Sequence, residues 1–421
     1  MHVGVYGSGY LGCVVSACLS DFGMPITCFD EDFNRVAAVA QGVVPFYERN
    51  LQEVVRRNMR AGRLIYASGI ASPASKCEVV FIAQDSAAEV EEVAARVAGA
   101  MRKGFVVLMT PVPVGTAKRL EARLHDTVSK VSVVSQPLFL TDGCAVEDFN
   151  WPDRILLGTS SGDAVQLLKQ IYRPLVMRGV PVIVTNHETA ELVREASTAF
   201  LATKISFINE LANLCEKVNA DAVDLALALG LDKKIAPRCL TPGAGMGGAF
   251  AEADLDSLAQ LAMSGGVSLR IVEAAREVNR TLSDRLADKI DKAVESLRGK
   301  GLGLLGLSFK PNTNSTAGSS SLMLARSLMD RGAMLRAWDP VAIPEAKQQL
   351  LGDVHYCDSA YAAAEGMDAL VVGTGWPEFR ALDFSKIKRL LKRPLIVDTK
   401  NLLDAERLRT MGFQYVGVGR A

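Results

Sequence analysis

The run Gly7-Ser8-Gly9-Tyr10-Leu11-Gly12 follows a short apolar strand, and Asp30 closes the next strand. Gly7 and Gly9 permit a tight turn and bring backbone N–H groups close to a pyrophosphate, while Gly12 lets the following helix pack on the strand. That helix then turns the partial positive charge of its N-terminus toward the phosphates. A carboxylate at Asp30 suits the hydroxyls of an adenosine ribose and would repel a 2′-phosphate, so the motif points to NAD rather than NADP. The glycines alone are a weak signal. The strand before them, the helix after them and the acid at the end of the next strand make it specific. The expected cofactor site comprises Gly7, Gly9, Tyr10, Leu11, Gly12, Asp30, Arg35 and Ser86. A second glycine-rich stretch, Pro242-Gly243-Ala244-Gly245-Met246-Gly247-Gly248, leads into Ala249-Phe250-Ala251-Glu252-Ala253-Asp254.

The elements that must hold these motifs alternate between β-rich apolar runs and helical runs, the pattern of parallel α/β structure. HVGVYG, PITCFD, VVFIA, FVVLM, VSVVSQP and PVIVTN read as strands. Gly12 to Phe22, Asp32 to Gln41 and Ala87 to Met101 read as helices between them. From Glu188 to Val218 the apolar residues Leu192, Val193, Phe200, Leu201, Ile205, Ile208, Leu211 and Leu214 fall at helical spacing with no Gly or Pro. That predicts one helix of ~45 Å, long enough to link two lobes or to pack against a second chain. Helical pattern continues through Asp221 to Leu229 and from Leu255 to Arg298. GLGLLGL, MLRAWDP, ALVVGTG, PLIVDTK and FQYVGVG then read as a second set of strands, with a helix from Ser320 to Arg331. The expected fold class is α/β: two Rossmann-like parallel-sheet domains joined by a helical middle region with a long central helix. The expected boundaries are 1–187 for the NAD-binding domain, 188–298 for the helical middle, and 299–421 for the second parallel-sheet domain.

Bulk composition narrows the function. At 421 residues with 47 basic and 47 acidic side chains, the chain has no global field to attract nucleic acid. The start MHVGVYGSGYLG is already strand and turn, without the charged leader and cleavage site of a signal peptide. No long uncharged apolar run suggests a membrane span. The eight cysteines and four histidines are scattered, with no CxxC pair, so no metal site is expected. Buried free thiols in a reducing cytoplasm are the expectation.

With these motifs in view, the chain resembles the UDP-glucose/GDP-mannose 6-dehydrogenase family over nearly its full length. The resemblance rests on Gly7 to Gly23, on Phe139-Leu140-Thr141-Asp142-Gly143 with Ala145-Val146-Glu147-Asp148-Phe149, and on Ala199 to Glu210. It rests further on the second glycine-rich loop, on Gly306-Leu307-Ser308-Phe309-Lys310-Pro311-Asn312-Thr313, and on Asp398-Thr399-Lys400-Asn401. It implies oxidation of a nucleotide sugar at C6 in two steps with two NAD. A cysteine attacks the intermediate aldehyde, and a thioester is hydrolysed to a uronic acid. Such chemistry needs a thiolate, donors for an oxyanion and carboxylates to move protons and activate water.

The residues that would do this chemistry depart from the family pattern. Where the family has Cys and Lys, this chain has Phe250 and Ala253, and only Asp254 matches. The family's Lys and Asn at the start of the long helix become Arg194 and Thr198. Arginine keeps the charge but cannot give up its proton. Pro111 replaces a threonine in Thr110-Pro111-Val112-Pro113-Val114-Gly115, and the family's two glutamates become Leu138 and Asp142. The loop Asp85-Ser86-Ala87 is shorter than its family counterpart, and Asp85 brings negative charge near the dinucleotide. Asn314, Ser315 and Ala317 replace acidic and arginine positions, so weakened NAD binding is expected.

The resemblance implies that 188–298 is a central dimerisation domain and 299–421 a UDP-sugar-binding domain, and the sugar side is better kept. The resemblance assigns nucleotide-sugar contacts to Lys234, Gly243, Gly245, Gly247, Gly248, Phe309, Lys310 and Lys400. Lys234 and Lys400 stand where the family has arginines. Cys144 and Cys239 are the thiols nearest to these motifs in sequence, and packing is the better reading of both.

Three readings follow in order of preference. The first is a catalytically silent homologue that binds NAD or a UDP-sugar. It would serve polysaccharide synthesis as a regulator or scaffold, as a homodimer or as a hetero-oligomer with an active relative. The second is an NAD-dependent enzyme of altered or single-step chemistry, with Asp254 as base and Arg194 holding a water. The third is a conventional UDP-sugar 6-dehydrogenase. The long helix with its apolar stripe predicts a dimer.

Overall fold

The computed structural model describes residues 1–127 and 130–420, without the side chains of residues 126, 127, 249 and 250. The apolar runs form two sheets. The first contains β1 (Val3–Tyr6), β2 (Ile26–Asp30), β3 (Leu64–Ser68), β4 (Val79–Ile82), β5 (Gly104–Leu108), β6 (Val131–Ser135), β7 (Ile155–Gly158) and β8 (Val182–Thr185). Their order is β3-β2-β1-β4-β5-β6-β7-β8. Strands β1 to β6 pair in parallel, β7 is antiparallel to β6, and β8 is parallel to β7.

The second sheet contains β9 (Gly301–Leu305), β10 (Met334–Trp338), β11 (Val354–Tyr356), β12 (Ala369–Val372), β13 (Leu395–Asp398) and β14 (Gln414–Gly417). It is parallel throughout, in the order β11-β10-β9-β12-β13-β14. Both sheets therefore wind outward from their first strand in the same doubly wound sense. Each has a switch point where strand order reverses, between β1 and β4 and between β9 and β12, the place where such sheets bind ligands.

Central strands are continuous apolar runs because helices cover both faces of the sheet. Alternate residues feed opposite cores: Val79 and Phe81 pack on one side of the first sheet, Val80 and Ile82 on the other. In the second sheet Val371 and Leu370 divide in the same way.

The long helix forms over His187–Val218, one residue longer than expected. The stretch from Leu255 to Arg298 is two helices, Ala249–Ser264 and Arg270–Val294. Gly265-Gly266 interrupts it, with Gly266 at φ +68°, a conformation that ends helices. Strands β3, β7 and β11 were not legible. β3 and β11 are edge strands in which every residue but Leu64 is half-buried or exposed. The chain divides into two compact units, Met1–Ala196 and Ser197–Ala421. No described helix is long and apolar enough to cross a membrane.

Candidate functional site

In the first unit the expected cofactor residues gather at the β1–β4 switch point. Gly7 has φ +117°, and a Cβ there would lie 2.3 Å from the Ala83 carbonyl oxygen. At Gly12 a Cβ would lie 1.8 Å from the Gly7 carbonyl oxygen, so only glycine lets the Tyr10–Asp21 helix start against the end of β1. The Asp30 carboxylate accepts the Ser8 N–H at 2.7 Å and the Ser8 hydroxyl at 2.8 Å through Oδ2. Its Oδ1 accepts the Asp32 N–H at 3.0 Å. This holds the acid over the turn, and lone pairs remain for ribose hydroxyls. Arg35 pairs with Asp32 at 3.1 Å and places Nη1 3.2 Å from where a Gly9 Cβ would stand. Ser86 lies in the exposed loop after β4, where its hydroxyl accepts the Ala88 N–H at 3.2 Å.

One contact stands out. Asp32, Ser161, Asp221, Ser319, Ser359, Asp383 and Asp404 each cap the helix they begin, accepting a first-turn N–H. Gly9 has no side chain to do so for the Tyr10–Asp21 helix. Asp85 takes that role, accepting the Tyr10 N–H at 3.0 Å through Oδ2 and the Leu11 N–H at 2.9 Å through Oδ1.

A second carboxylate organises the surrounding loops. Buried Glu48 accepts the Tyr10 hydroxyl at 2.5 Å, the Gly143 N–H at 2.6 Å and the Ala145 N–H at 3.0 Å. Burial pushes its carboxyl pKa up, although these hydrogen bonds pull the other way. Burial and the same contact raise the Tyr10 phenol. Glu48 thereby ties the start of the helix to the loop that carries half-buried Asp142. Glu191 does the same for the turn containing Pro111, accepting the N–H groups of Gly115 at 2.6 Å and Ala117 at 2.9 Å. The neighbouring Thr110 hydroxyl is committed to Gln84, donating to its carbonyl at 3.0 Å and accepting its N–H at 2.8 Å. Leu138 packs against the core of the first sheet. Arg194 is half-buried, one turn beyond Glu191 on the long helix.

In the second unit, Thr198 and Asp254 come together: the Thr198 hydroxyl donates to Asp254 Oδ2 at 2.7 Å, and Asp254 is buried. Asp254 lies in the first turns of the Ala249–Ser264 helix, which also contains Phe250. The Phe250 side chain lies outside the described residues.

The glycine-rich loop is held by three asparagines. Asn209 Oδ1 accepts the Gly243 N–H at 2.9 Å. Asn279 brackets Met246, accepting its N–H at 2.8 Å and donating to its carbonyl at 3.0 Å. Asn401 donates to the Pro242 carbonyl at 3.2 Å. A Cβ on Gly245 would lie 2.5 Å from Asn279 Oδ1, and one on Gly247 2.5 Å from the Gly318 carbonyl oxygen. Gly248 donates its N–H to that carbonyl at 3.2 Å and rests against the Phe309 ring. Half-buried Lys310 has its Nζ 6.0 Å from the same ring. Lys400 Nζ lies 3.3 Å from the Ser320 hydroxyl, and its backbone is next to Gly243. The loop, Phe309, Lys310 and Lys400 thus form one neighbourhood, whereas Lys234 is exposed and donates its backbone N–H to Asp232 at 2.9 Å.

The second sheet repeats the device of the first. Gly306 turns the chain after β9 at φ +91°. Asp339, just past β10, then accepts the Ser308 N–H and hydroxyl, each at 3.1 Å, as Asp30 does for Ser8. Asp339 also accepts the N–H groups of Leu307 at 2.7 Å, Val341 at 2.9 Å and Ala342 at 2.8 Å, and the Trp376 indole at 3.1 Å. No helix starts directly at this turn; the next one begins at Ser320. The second switch point therefore lacks a helix terminus on its turn and presents Lys310 and Lys400 instead.

Comparison with known proteins agrees with this geometry. Residues 1–176 match the NAD binding domain of the UDP-glucose/GDP-mannose dehydrogenase family, residues 188–281 its central domain, and residues 303–405 its UDP binding domain. The chain is 37% identical to a UDP-glucose 6-dehydrogenase of Rhizobium meliloti over the whole of both chains. It is 35% identical to one of Bacillus subtilis, over 99% of this chain and 93% of that one. The solved structure of a UDP-glucose dehydrogenase from Pyrobaculum islandicum superposes with a TM-score of 0.90 at 30% identity, covering 100% of this chain and 98% of that chain. The chain belongs to the UDP-glucose/GDP-mannose dehydrogenase family. Its first sheet is the family's NAD-binding domain, and NAD is its cofactor.

Sequence reasoning missed Glu48, Glu191, Asn279 and Asp339 as organising residues. Asn209 carried a faint signal, a polar residue within the apolar pattern of the long helix. The others gave no such signal, because a buried carboxylate or amide reads like a surface one until its partners are known.

Proposed function

We propose that this chain binds NAD and a UDP-sugar but does not complete the four-electron oxidation, and that it acts as a regulatory or scaffold subunit in polysaccharide synthesis. The observation that carries this is Phe250 at the start of the Ala249–Ser264 helix, the position where the family resemblance implies the nucleophilic thiol. The other thiols are read as packed side chains. Of the described cysteines all but Cys144 and Cys239 are buried, and burial pushes the Cys239 thiol up, away from the thiolate. Pro111, Leu138 and Ala253 remove further polar groups that the chemistry needs, and Arg194 cannot give up its proton.

A single-step oxidation is the second reading. Asp254 survives and accepts the Thr198 hydroxyl, which leaves a carboxylate able to take one proton without a thiol. NADH formation at 340 nm separates the two readings. No NADH with UDP-glucose, UDP-galactose, UDP-N-acetyl sugars or GDP-mannose supports the silent reading, and one NADH per sugar supports the single-step enzyme.

Nucleotide-sugar binding is assigned to Lys310, Lys400, Phe309 and the loop Gly243, Gly245, Gly247 and Gly248, with Lys234 reaching the ligand of a second copy. Burial pulls the Lys400 ammonium down to about 8, partly opposed by Asp398. A bound diphosphate favours the charged form. UDP affinity is therefore expected to fall as pH rises above about 8, approaching ~tenfold per pH unit. The Lys400→Arg variant keeps its charge and is expected to flatten the profile. Without ligand the sign reverses. The unfolded lysine binds its proton more tightly, so Lys400 makes the fold more stable as pH rises from about 8 toward the ordinary lysine range. Calorimetric titration of UDP from pH 7 to 9 checks the ligand effect.

A homodimer is assigned to the long helix. Phe200, Phe207 and Leu214 recur every seven residues and are 66%, 51% and 55% exposed, a seam that a second helix covers. A hetero-oligomer with an active relative would use the same seam. Sedimentation equilibrium is expected to show a dimer, and Phe207→Asp a monomer.

A further inference from the structure

We propose that Asp85 is a built-in occupant of the diphosphate seat, so that NAD enters only when the loop after β4 swings its carboxylate away. The inference rests on the NAD-binding reading of the first sheet and goes beyond it. In a dinucleotide fold the free N–H groups at the start of the first helix receive the pyrophosphate. Here the N–H groups of Tyr10 and Leu11 are both taken, at 3.0 and 2.9 Å, by the two oxygens of one carboxylate. Gly9, whose bare backbone lets a phosphate come close, is approached instead by Asp85. A Cβ at Gly9 would lie 2.0 Å from Asp85 Oδ2. Asp85 thus holds the seat in geometry as well as in charge, and an incoming diphosphate meets the same amides plus a repelling anion. The residues present otherwise fit the cofactor: the glycine turn, the helix start and Asp30 are in place, and Arg35 reaches the same point.

The loop that carries Asp85 can move at small cost. Residues 85–89 are exposed, and their described side-chain bonds besides the Asp85 cap are limited to the Ser86–Ala88 turn. NAD binding is then a population problem, because apparent affinity falls by the fraction of molecules whose seat is empty. Asp85 sets that fraction, and the weakened cofactor binding expected from the sequence would follow from this one residue.

The two roles of Asp85, helix cap and cofactor competitor, predict changes of opposite sign. In the full-length Asp85→Ala protein, the ligand-free melting temperature is expected to fall because two N–H groups lose their acceptor. NAD affinity by calorimetric titration is expected to rise at least ~tenfold, and the melting shift on adding NAD to grow. Asp85→Asn, uncharged but of the same size, is expected to fall between the two. UDP affinity, which belongs to the second unit, is expected to stay unchanged. Equal and measurable NAD affinity in wild type and Asp85→Ala, or weaker affinity in the variant, overturns the proposal and leaves NAD binding intact. Absence of NAD binding in both proteins overturns the proposal and the cofactor reading together.

Discussion

Supplied with UDP-glucose and excess NAD, the purified protein is expected to release no UDP-glucuronate at rates where the Rhizobium meliloti relative, assayed alongside, is fully active. Each lost general acid or base alone typically costs about 10²–10⁴ in rate. Losses that act as one machine do not multiply, so the expected deficit is at least ~10⁴ rather than the product of five such factors. The reason is chemical. The second oxidation requires a hemithioacetal, and a phenyl ring at Phe250 has no lone pair to form one. Restoring the thiol in Phe250→Cys is expected to leave turnover absent. The new sulfur would still lack the family's two lysines, replaced by Ala253 and Arg194, and the glutamate replaced by Leu138. Trapping of a sugar thioester by mass spectrometry in the wild-type protein, or uronate formation by it, would sink this prediction.

The second large effect is structural. Asp339→Ala is expected to destabilise the second unit by about 3–5 kcal/mol and to abolish UDP binding. Its carboxylate takes four backbone N–H groups, the Ser308 hydroxyl and the Trp376 indole. Alanine strands these donors, several of them buried, and each unsatisfied donor costs ~1–3 kcal/mol before relaxation. The same carboxylate sets the course of the chain from Gly306 into Phe309 and Lys310, so its loss also displaces the groups assigned to the diphosphate. The readout is urea unfolding followed by tryptophan fluorescence. Trp338 and Trp376 report the second unit, and a chain of two units need not unfold in one step. Asp339→Asn is expected to rescue little, since its NH₂ would face donors. A loss below ~1 kcal/mol in Asp339→Ala would show that the surrounding donors find other partners.

Much of the site was legible because its requirements are local. Gly7 and Gly12 announce a turn that no other residue could make, and Asp30 ends an apolar run as a ribose-binding acid should. The sequence also separated the two sets of strands and placed the long helix to within one residue. It could not show that Asp30 and Asp339 perform the same task in two sheets. The matching residues, Ser8 and Ser308, sit in motifs that share only a glycine and a serine. Nor could it divide the stretch from Leu255 to Arg298 into separate helices, since Gly265-Gly266 reads as a tolerable weakness in a helix until both glycines are seen to leave it.

From the sequence alone come two sets of Rossmann-like strands, the cofactor motif and a phenylalanine, Phe250, where the resemblance implies a thiol, because each depends on backbone dihedrals, apolar spacing or the identity of one residue. Only the tertiary structure decided which group satisfies the exposed N–H groups of the first helix. That choice joins Tyr10 to a carboxylate 75 residues away. The sequence placed the Asp85 charge near the dinucleotide, but which acceptor meets these N–H groups depends on where the topology delivers the loop, and local sequence does not record that.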